Sequence, residues 1–179
     1  MNNALEICEA SLDDAGQIAE IFSHYVLEST ASFETEPPDR DAMAARMEAT
    51  MAQGYPWLVV RDDDGRVLGY AHAQSFGDRT GYAYSCETSI YVRADSVGKG
   101  VGTRLINALV EACEECGYRQ AFAVIAGTEP ASVVLHARAS YFPVGTLAAA
   151  GWKHGKWIDV FIMQRKLGPG ADTLPEGEG

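Results

Sequence analysis

Tyr84-Ser85-Cys86-Glu87-Thr88-Ser89-Ile90-Tyr91-Val92 and, after five more residues, Gly98-Lys99-Gly100-Val101-Gly102-Thr103 form the stretch on which the fold turns. The first part is rich in β-branched and aromatic residues and reads as a strand. Beyond Thr103, Leu105, Ala108, Leu109, Ala112 and Cys113 recur at helical spacing, opposite a polar face of Arg104, Asn107, Glu111, Glu114 and Glu115. Gly117 closes that helix. The order is strand, glycine loop, helix. Alternating glycines let the backbone turn tightly and approach a ligand with no Cβ in the way. The first N–H groups of the helix lack internal partners and carry the positive end of its dipole, so they suit a phosphate or pyrophosphate. The loop is not a Walker loop, because GxxxxGK[ST] is absent. Nor is it a dinucleotide fingerprint, whose third glycine falls on Thr103. A cofactor that sets a pyrophosphate here and sends a thiol arm along the strand is the natural fit.

Outward from this centre, residues 4–10 form a short strand. Ser11 reads as a helix cap with Asp14 three residues on. Ala15, Ile18, Ala19, Phe22, Tyr25 and Val26 carry the helix that follows. Glu36-Pro37-Pro38-Asp39 breaks the chain. A second helix with a core stripe of Met43, Met47 and Met51 stops at Gly54. Trp57 to Val60 and Val67 to Ala73 make a hairpin around Asp62-Asp63-Asp64-Gly65, and a loop with Gly77, Asp78, Arg79 and Gly81 leads to the opening strand. After the long helix come a buried strand from Ala121 to Ala126, a helix at 131–139, and strands at 144–150 and 158–165. The class is α/β (α+β), with one mixed, mainly antiparallel sheet.

The 179 residues suffice for one domain, expected over 1–167. The end, from Gly168-Pro169-Gly170 to 179, is nearly free of apolar residues and is expected to be disordered. A net charge of −11 makes nucleic acid an unsuitable partner. No apolar run is long enough for a membrane span, and no secretory signal opens the chain, so a cytoplasmic protein with reduced thiols is expected. Cys113-Glu114-Glu115-Cys116 is a CxxC at the end of a helix. Nothing supplies the rest of a metal set, so it reads as packed thiols, and no metal is expected.

Val97-Gly98-Lys99-Gly100-Val101-Gly102 is similar to the Q/R-x-x-G-x-G/A loop of the GCN5-related N-acetyltransferase (GNAT) superfamily. Four further segments resemble its phosphinothricin or methionine sulfoximine N-acetyltransferase family. Thr30-Ala31-Ser32-Phe33-Glu34-Thr35-Glu36-Pro37-Pro38 is similar to the acceptor-loop segment, and Gly54-Tyr55-Pro56-Trp57-Leu58-Val59 to the entry of the second strand. Glu87-Thr88-Ser89-Ile90-Tyr91-Val92 matches an E-x-S-V-Y-V strand. Lys153-His154-Gly155-Lys156-Trp157-Ile158-Asp159 resembles K-x-G-[RK]-W-x-D. The resemblance implies a sheet whose central strands splay, with acetyl-CoA in the opening. Its pantetheine arm would follow Ser89, Ile90, Tyr91 and Val92. Its pyrophosphate would sit on Gly98, Lys99, Gly100, Val101, Gly102 and Thr103. Val97 stands where Gln or Arg is usual, Glu129 where Asn is usual, and Ser132 follows on the same helix as a further cofactor contact. The usual LGF after that helix reads Ala139-Ser140-Tyr141, and Gly77 stands where some relatives carry Arg. A small-molecule amine as acceptor and a homodimer are implied by the same analogy.

The chemistry needs a base, because an α-amine is mostly protonated at neutral pH. Glu87, sharing a strand face with Ser89 and Tyr91, is the candidate. A backbone N–H near Ser89 or Ile90 would meet the oxyanion. His136 is the candidate proton donor to the leaving thiolate. Cys86, on the opposite face from Glu87, is a poor nucleophile candidate, so direct attack is expected. Arg79 is expected to pair with an acceptor carboxylate, and Phe33, Glu34 and Tyr82 to wall the acceptor pocket, with Trp157 and Asp159 at that pocket or at a subunit contact. The expected acceptor is the α-amine of phosphinothricin, methionine sulfoximine or methionine sulfone. The alternatives are a polyamine, an aminoglycoside or a protein N-terminus, or a module that binds acyl-CoA without catalysis.

Overall fold

The computed structural model describes residues 5–127 and 129–175. Among the described residues, four helices flank one seven-stranded sheet. Strand β1 (Glu6–Glu9) leads to α1 (Ala15–Glu28) and α2 (Arg40–Ala52). Strands β2 (Trp57–Arg61), β3 (Val67–Ser75) and β4 (Ser85–Val92) run as a meander. Then come α3 (Val101–Glu115), β5 (Gln120–Ala126) and α4 (Pro130–Arg138), and a terminal hairpin of β6 (Phe142–Lys153) and β7 (Lys156–Lys166). The sheet order is β1-β2-β3-β4-β5-β7-β6. Only the β4–β5 pair is parallel.

Local chemistry sets the helix starts. The Ser11 N–H donates to Asp14 Oδ2 at 2.9 Å, closing the expected cap around a 3₁₀ turn at Leu12–Asp14 that precedes α1. Asp14 is buried and also takes the Arg61 guanidinium at 2.5 Å, which ties α1 to β2. The Asp39 carboxylate caps α2 by accepting from the Ala42 N–H at 2.8 Å. Helices α1 and α2 cover one sheet face, packing Ile18, Phe22, Met43 and Met47 on Trp57, Val59 and Tyr70. Helix α3 covers the other with Leu105, Ile106, Leu109 and Cys113 against Val60, Ala71 and Cys86. Both faces are buried, which is why β2 reads as an unbroken apolar run.

The parallel pair is short. Its register covers Ser85↔Gln120 to Glu87↔Phe122, although β4 continues to Val92 and β5 to Ala126. Beyond Glu87 the strands separate, and the Thr88 hydroxyl, donating to the Phe122 carbonyl at 3.2 Å, sits at the fork. This is the splayed sheet that the resemblance implies.

The terminal strands are longer than the alternation predicts. The β6–β7 register shifts between Leu147 and Gly151, so the pattern slips mid-strand. Asp159 holds this bulge by accepting from the Ala149 N–H at 2.8 Å. Residues 168–173, where the composition predicts no order, lie in turns and bends. The Arg119 guanidinium holds them, donating to Thr173 Oγ1 at 3.1 Å and the Leu174 carbonyl at 3.3 Å. For residues 176–179 the expectation of disorder lies outside the described residues.

Candidate active site

A groove of about 810 Å³ opens where β4 and β5 part. Ser89 to Val92 form one wall and Ala123 to Ala126 the other. Gly98, Gly100, Gly102 and Thr103 close one end; Glu129, Ser132 and His136 of the α4 region close the side. Gly98 has φ +80° and Gly100, the N-cap of α3, has φ +82°, a region that side chains strain to enter. The first helical bond is Arg104 N–H to Gly100 O at 3.1 Å, so the N–H groups before it have no helical partner. N–H groups free in this way can hold an anion at the groove's end. Val101 is buried in the core, and neither it nor Lys99 is among the residues that line the groove. Val97 lines the mouth and is 60% exposed.

The backbone of β4 is sorted by antiparallel alternation. Arg93 N–H donates to Leu68 O at 2.8 Å, so residues 91, 89 and 87 turn their polar groups to β3 and residues 92 and 90 turn theirs into the opening. The Tyr25 hydroxyl claims Val92, donating to its carbonyl at 2.6 Å and accepting from its N–H at 3.2 Å. The N–H and C=O of Ile90 point into the groove with no strand to pair with. Of the two N–H groups considered for the oxyanion, Ser89's faces β3 and Ile90's faces the groove.

On the α1–α2 face of the sheet lies a second, smaller space of about 140 Å³. Its walls are aromatic (Phe22, Trp57, Tyr70, His72 and Tyr91) and its polar groups are Glu34, Arg46, Gln74, Glu87 and Ser89. Ser89 and Tyr91 belong to the walls of both spaces. Burial raises the pKa of the Glu87 carboxyl, and a Gln74 side-chain hydrogen bond works against that rise. Trp57 and His72 stack with centroids 4.2 Å apart. Burial holds the His72 imidazole neutral, with its pKa lowered to about 4. Glu34 forms a two-point ion pair with Arg46, at 2.9 and 3.1 Å.

His136 is 4% exposed. Its Nδ1 stands 2.8 Å from the Ser132 carbonyl, which can only accept, so Nδ1 carries the proton. Burial lowers its pKa. In this neutral tautomer Nε2 is a buried lone pair without a partner. Beside it, edge-on at 5.0 Å, is Tyr141, whose hydroxyl meets Thr88 Oγ1 at 3.0 Å. Cys86 is fully buried in the α3 core, away from the Glu87 pocket. Cys113 is buried and Cys116 exposed, and all four cysteines are free. Among the described residues, no three His, Cys, Asp or Glu side chains gather as a metal site.

The structure gathers Glu34, Glu87, Ser89 and Tyr91 around one pocket and leaves other expected wall residues outside it. Arg79 caps an exposed 3₁₀ turn, and Tyr82 packs edge-on against Phe76 at 5.4 Å. Phe33 rests on β6, its ring where a Cβ on Gly151 would stand, so it anchors the loop between α1 and α2 to the hairpin. Lys153 ties down the same loop from below. It is buried and donates to the Ser32 carbonyl at 2.5 Å. Trp157 is 66% exposed. The residues that sequence reading missed are Arg46, Trp57, Tyr70, His72 and Gln74 at the pocket, and Tyr25 and Arg138 at the groove. Most are ordinary core positions by pattern, and only the pairing of β3 with β4 brings Gln74 opposite Glu87.

The model of the acetyltransferase (GNAT) family matches residues 18–141. A phosphinothricin N-acetyltransferase of Alcaligenes faecalis is 41% identical over 92% of this chain and 83% of its own length. An L-methionine sulfoximine/L-methionine sulfone acetyltransferase of Pseudomonas paraeruginosa is 36% identical over 91% of this chain and 95% of its own. Among solved structures, a GNAT superfamily phosphinothricin acetyltransferase of Sinorhizobium meliloti in complex with AcCoA has a TM-score of 0.94 at 39% identity. That match covers 97% of this chain and 94% of the other. On likeness of this extent, the chain belongs to the acetyltransferase (GNAT) family.

Proposed function

We propose that the protein transfers an acetyl group from acetyl-CoA to the α-amine of a small amino-acid-like acceptor, of the phosphinothricin, methionine sulfoximine or methionine sulfone type. The observation that carries this reading is the double wall of β4. Ser89 and Tyr91 border both the groove and the pocket, and Glu87 lies in the pocket beside them. A thioester held along the groove and an amine held in the pocket meet across that strand. Acetyl-CoA is the acetyl donor and a substrate of the reaction. The N–H groups of residues 98–103 would take its pyrophosphate, with Arg138, on the groove wall, as a further cation. The open N–H and C=O of Ile90 would take the arm and the carbonyl of the thioester.

Glu87 then removes a proton from the bound ammonium, and the free amine attacks directly. The Ile90 N–H stabilises the oxyanion. Collapse of the adduct breaks the C–S bond, and the extra proton on the attacking nitrogen passes to the departing thiolate, whose pKa is roughly 8.5 by analogy with cysteine. In the neutral tautomer described above, His136 has no proton on Nε2 to give, so its service as acid would require prior protonation. Glu87→Gln is expected to lower kcat about 10²- to 10⁴-fold, the range for a general base, with little change in the affinity for acetyl-CoA. Steady-state CoA release and direct titration with acetyl-CoA measure the two, and an unchanged kcat removes Glu87 from the mechanism.

Two carboxylates, Glu34 and Glu87, face one guanidinium in the pocket, and that balance supports a second reading, a diamine or polyamine acceptor. The reading also includes a homodimer and a cytoplasmic location. Exposed apolar residues on the β6 edge support the first, and four free thiols support the second.

A further inference from the structure

The cation that reads the acceptor lies on α2: we infer that Arg46 binds the acceptor's α-carboxylate while keeping its bond to Glu34. This rests on the amino-acid acceptor proposed above. Arg46 is the one Lys or Arg among the residues that line the acceptor pocket, and Glu87 lines the same space of about 140 Å³. In an α-amino acid the ammonium and the carboxylate share one carbon. If Glu87 takes the ammonium, the carboxylate must find its partner within that same small space.

Arg46 is built for the task. Glu34 occupies one N–H on each terminal nitrogen, at 2.9 and 3.1 Å. A guanidinium carries five N–H donors in a fixed plane, so three remain for a second carboxylate. The guanidinium carbon stands 5.5 Å from the centre of the Phe22 ring, a flat pocket wall that limits how the fork can turn. Both partners of the ion pair are 41% exposed, so an entering ligand can reach them. An ion pair that open contributes little to stability. Burial dominates the titration of His72 and Tyr91, lowering the first and raising the second, and the nearby Arg46 charge lowers both. Glu34 acts here as a positioning residue that holds the guanidinium at the pocket wall. Arg79, on its exposed turn, lies outside the residues lining this space.

The test compares methionine sulfone with its primary amide, which keeps the amine and side chain but lacks the carboxylate. Arg46→Gln is expected to raise KM for the acid roughly 10- to 100-fold, the worth of a hydrogen bond to a charged group. KM for the amide and for acetyl-CoA should stay within about twofold. Arg46→Lys, a point charge without the fork, should fall between native and Arg46→Gln. Glu34→Gln, which unties the guanidinium from its support, should raise KM for the acid and not for the amide. Equal losses for acid and amide would overturn the inference, because Arg46 would then only hold the loop. Loss of the acid–amide difference in Arg79→Gln, with Arg46→Gln unaffected, would also overturn it. A native enzyme that acetylates diamines and neither methionine sulfone nor its amide overturns the proposed acceptor itself, a result read before any variant is made.

Discussion

Glu87 is both legible and, by itself, ambiguous in the sequence. Period-two alternation puts it on the face of Ser89 and Tyr91, and the pocket has all three. Its chemistry depends on neighbours that no local pattern displays. Burial raises its pKa and Gln74, across the ladder, lowers it. The base must be ionised to act, so activity falls as pH drops through a pKa held above the ordinary carboxylate value of roughly 4.3. The acid limb of kcat is therefore expected above that range. Gln74→Leu removes the opposing hydrogen bond and should move the limb further up, while Glu87→Gln should abolish it. A limb unmoved by Gln74→Leu would mean that the amide does not act on the carboxylate. Arg46 shows the opposite kind of legibility. It sits in an ordinary amphipathic helix, and only the return of the Glu34 loop gives it a partner.

At the scale of elements, the glycine loop carried the most information, because its constraint is local: positive φ and unpaired helical N–H groups follow from the residues themselves. Gly100→Ala meets no clash, since nothing stands within 4 Å of its Cβ site, but must be held at φ +82°. Its expected effect is a several-fold higher KM for acetyl-CoA, with kcat at saturating acetyl-CoA nearly unchanged, from roughly 1 kcal/mol of backbone strain. A fall in kcat alone would place the loop's role elsewhere. The hairpin was less legible. Its bulge rests on Asp159 bonding to Ala149, ten residues back in the chain, and the seat of Phe33 rests on Gly151. Ser140 adopts φ +63° where the family's usual LGF has glycine, a departure visible in the sequence whose backbone conformation was not.

At the scale of the molecule, element order and sheet class followed from periodicity, and the opening between β4 and β5 came only from the resemblance until the register showed it. Strand β6 ends the sheet with Phe142, Val144, Leu147 and Trp152 each more than half exposed. An edge of that length and character invites a second copy. Sedimentation is expected to give a dimer, and Val144→Lys with Leu147→Lys a monomer; a monomeric native chain would leave that edge without the proposed role. The central claim is acetyl transfer to an amino-acid amine across β4. Its most direct measurement is thiol release from acetyl-CoA over a panel of methionine sulfone, methionine sulfoximine, phosphinothricin, ordinary amino acids, spermidine and an aminoglycoside. Rapid release with the first three compounds, lost in Glu87→Gln, is the predicted result. Silence with those three, while acetyl-CoA still binds, or release with the cationic amines alone, would contradict it.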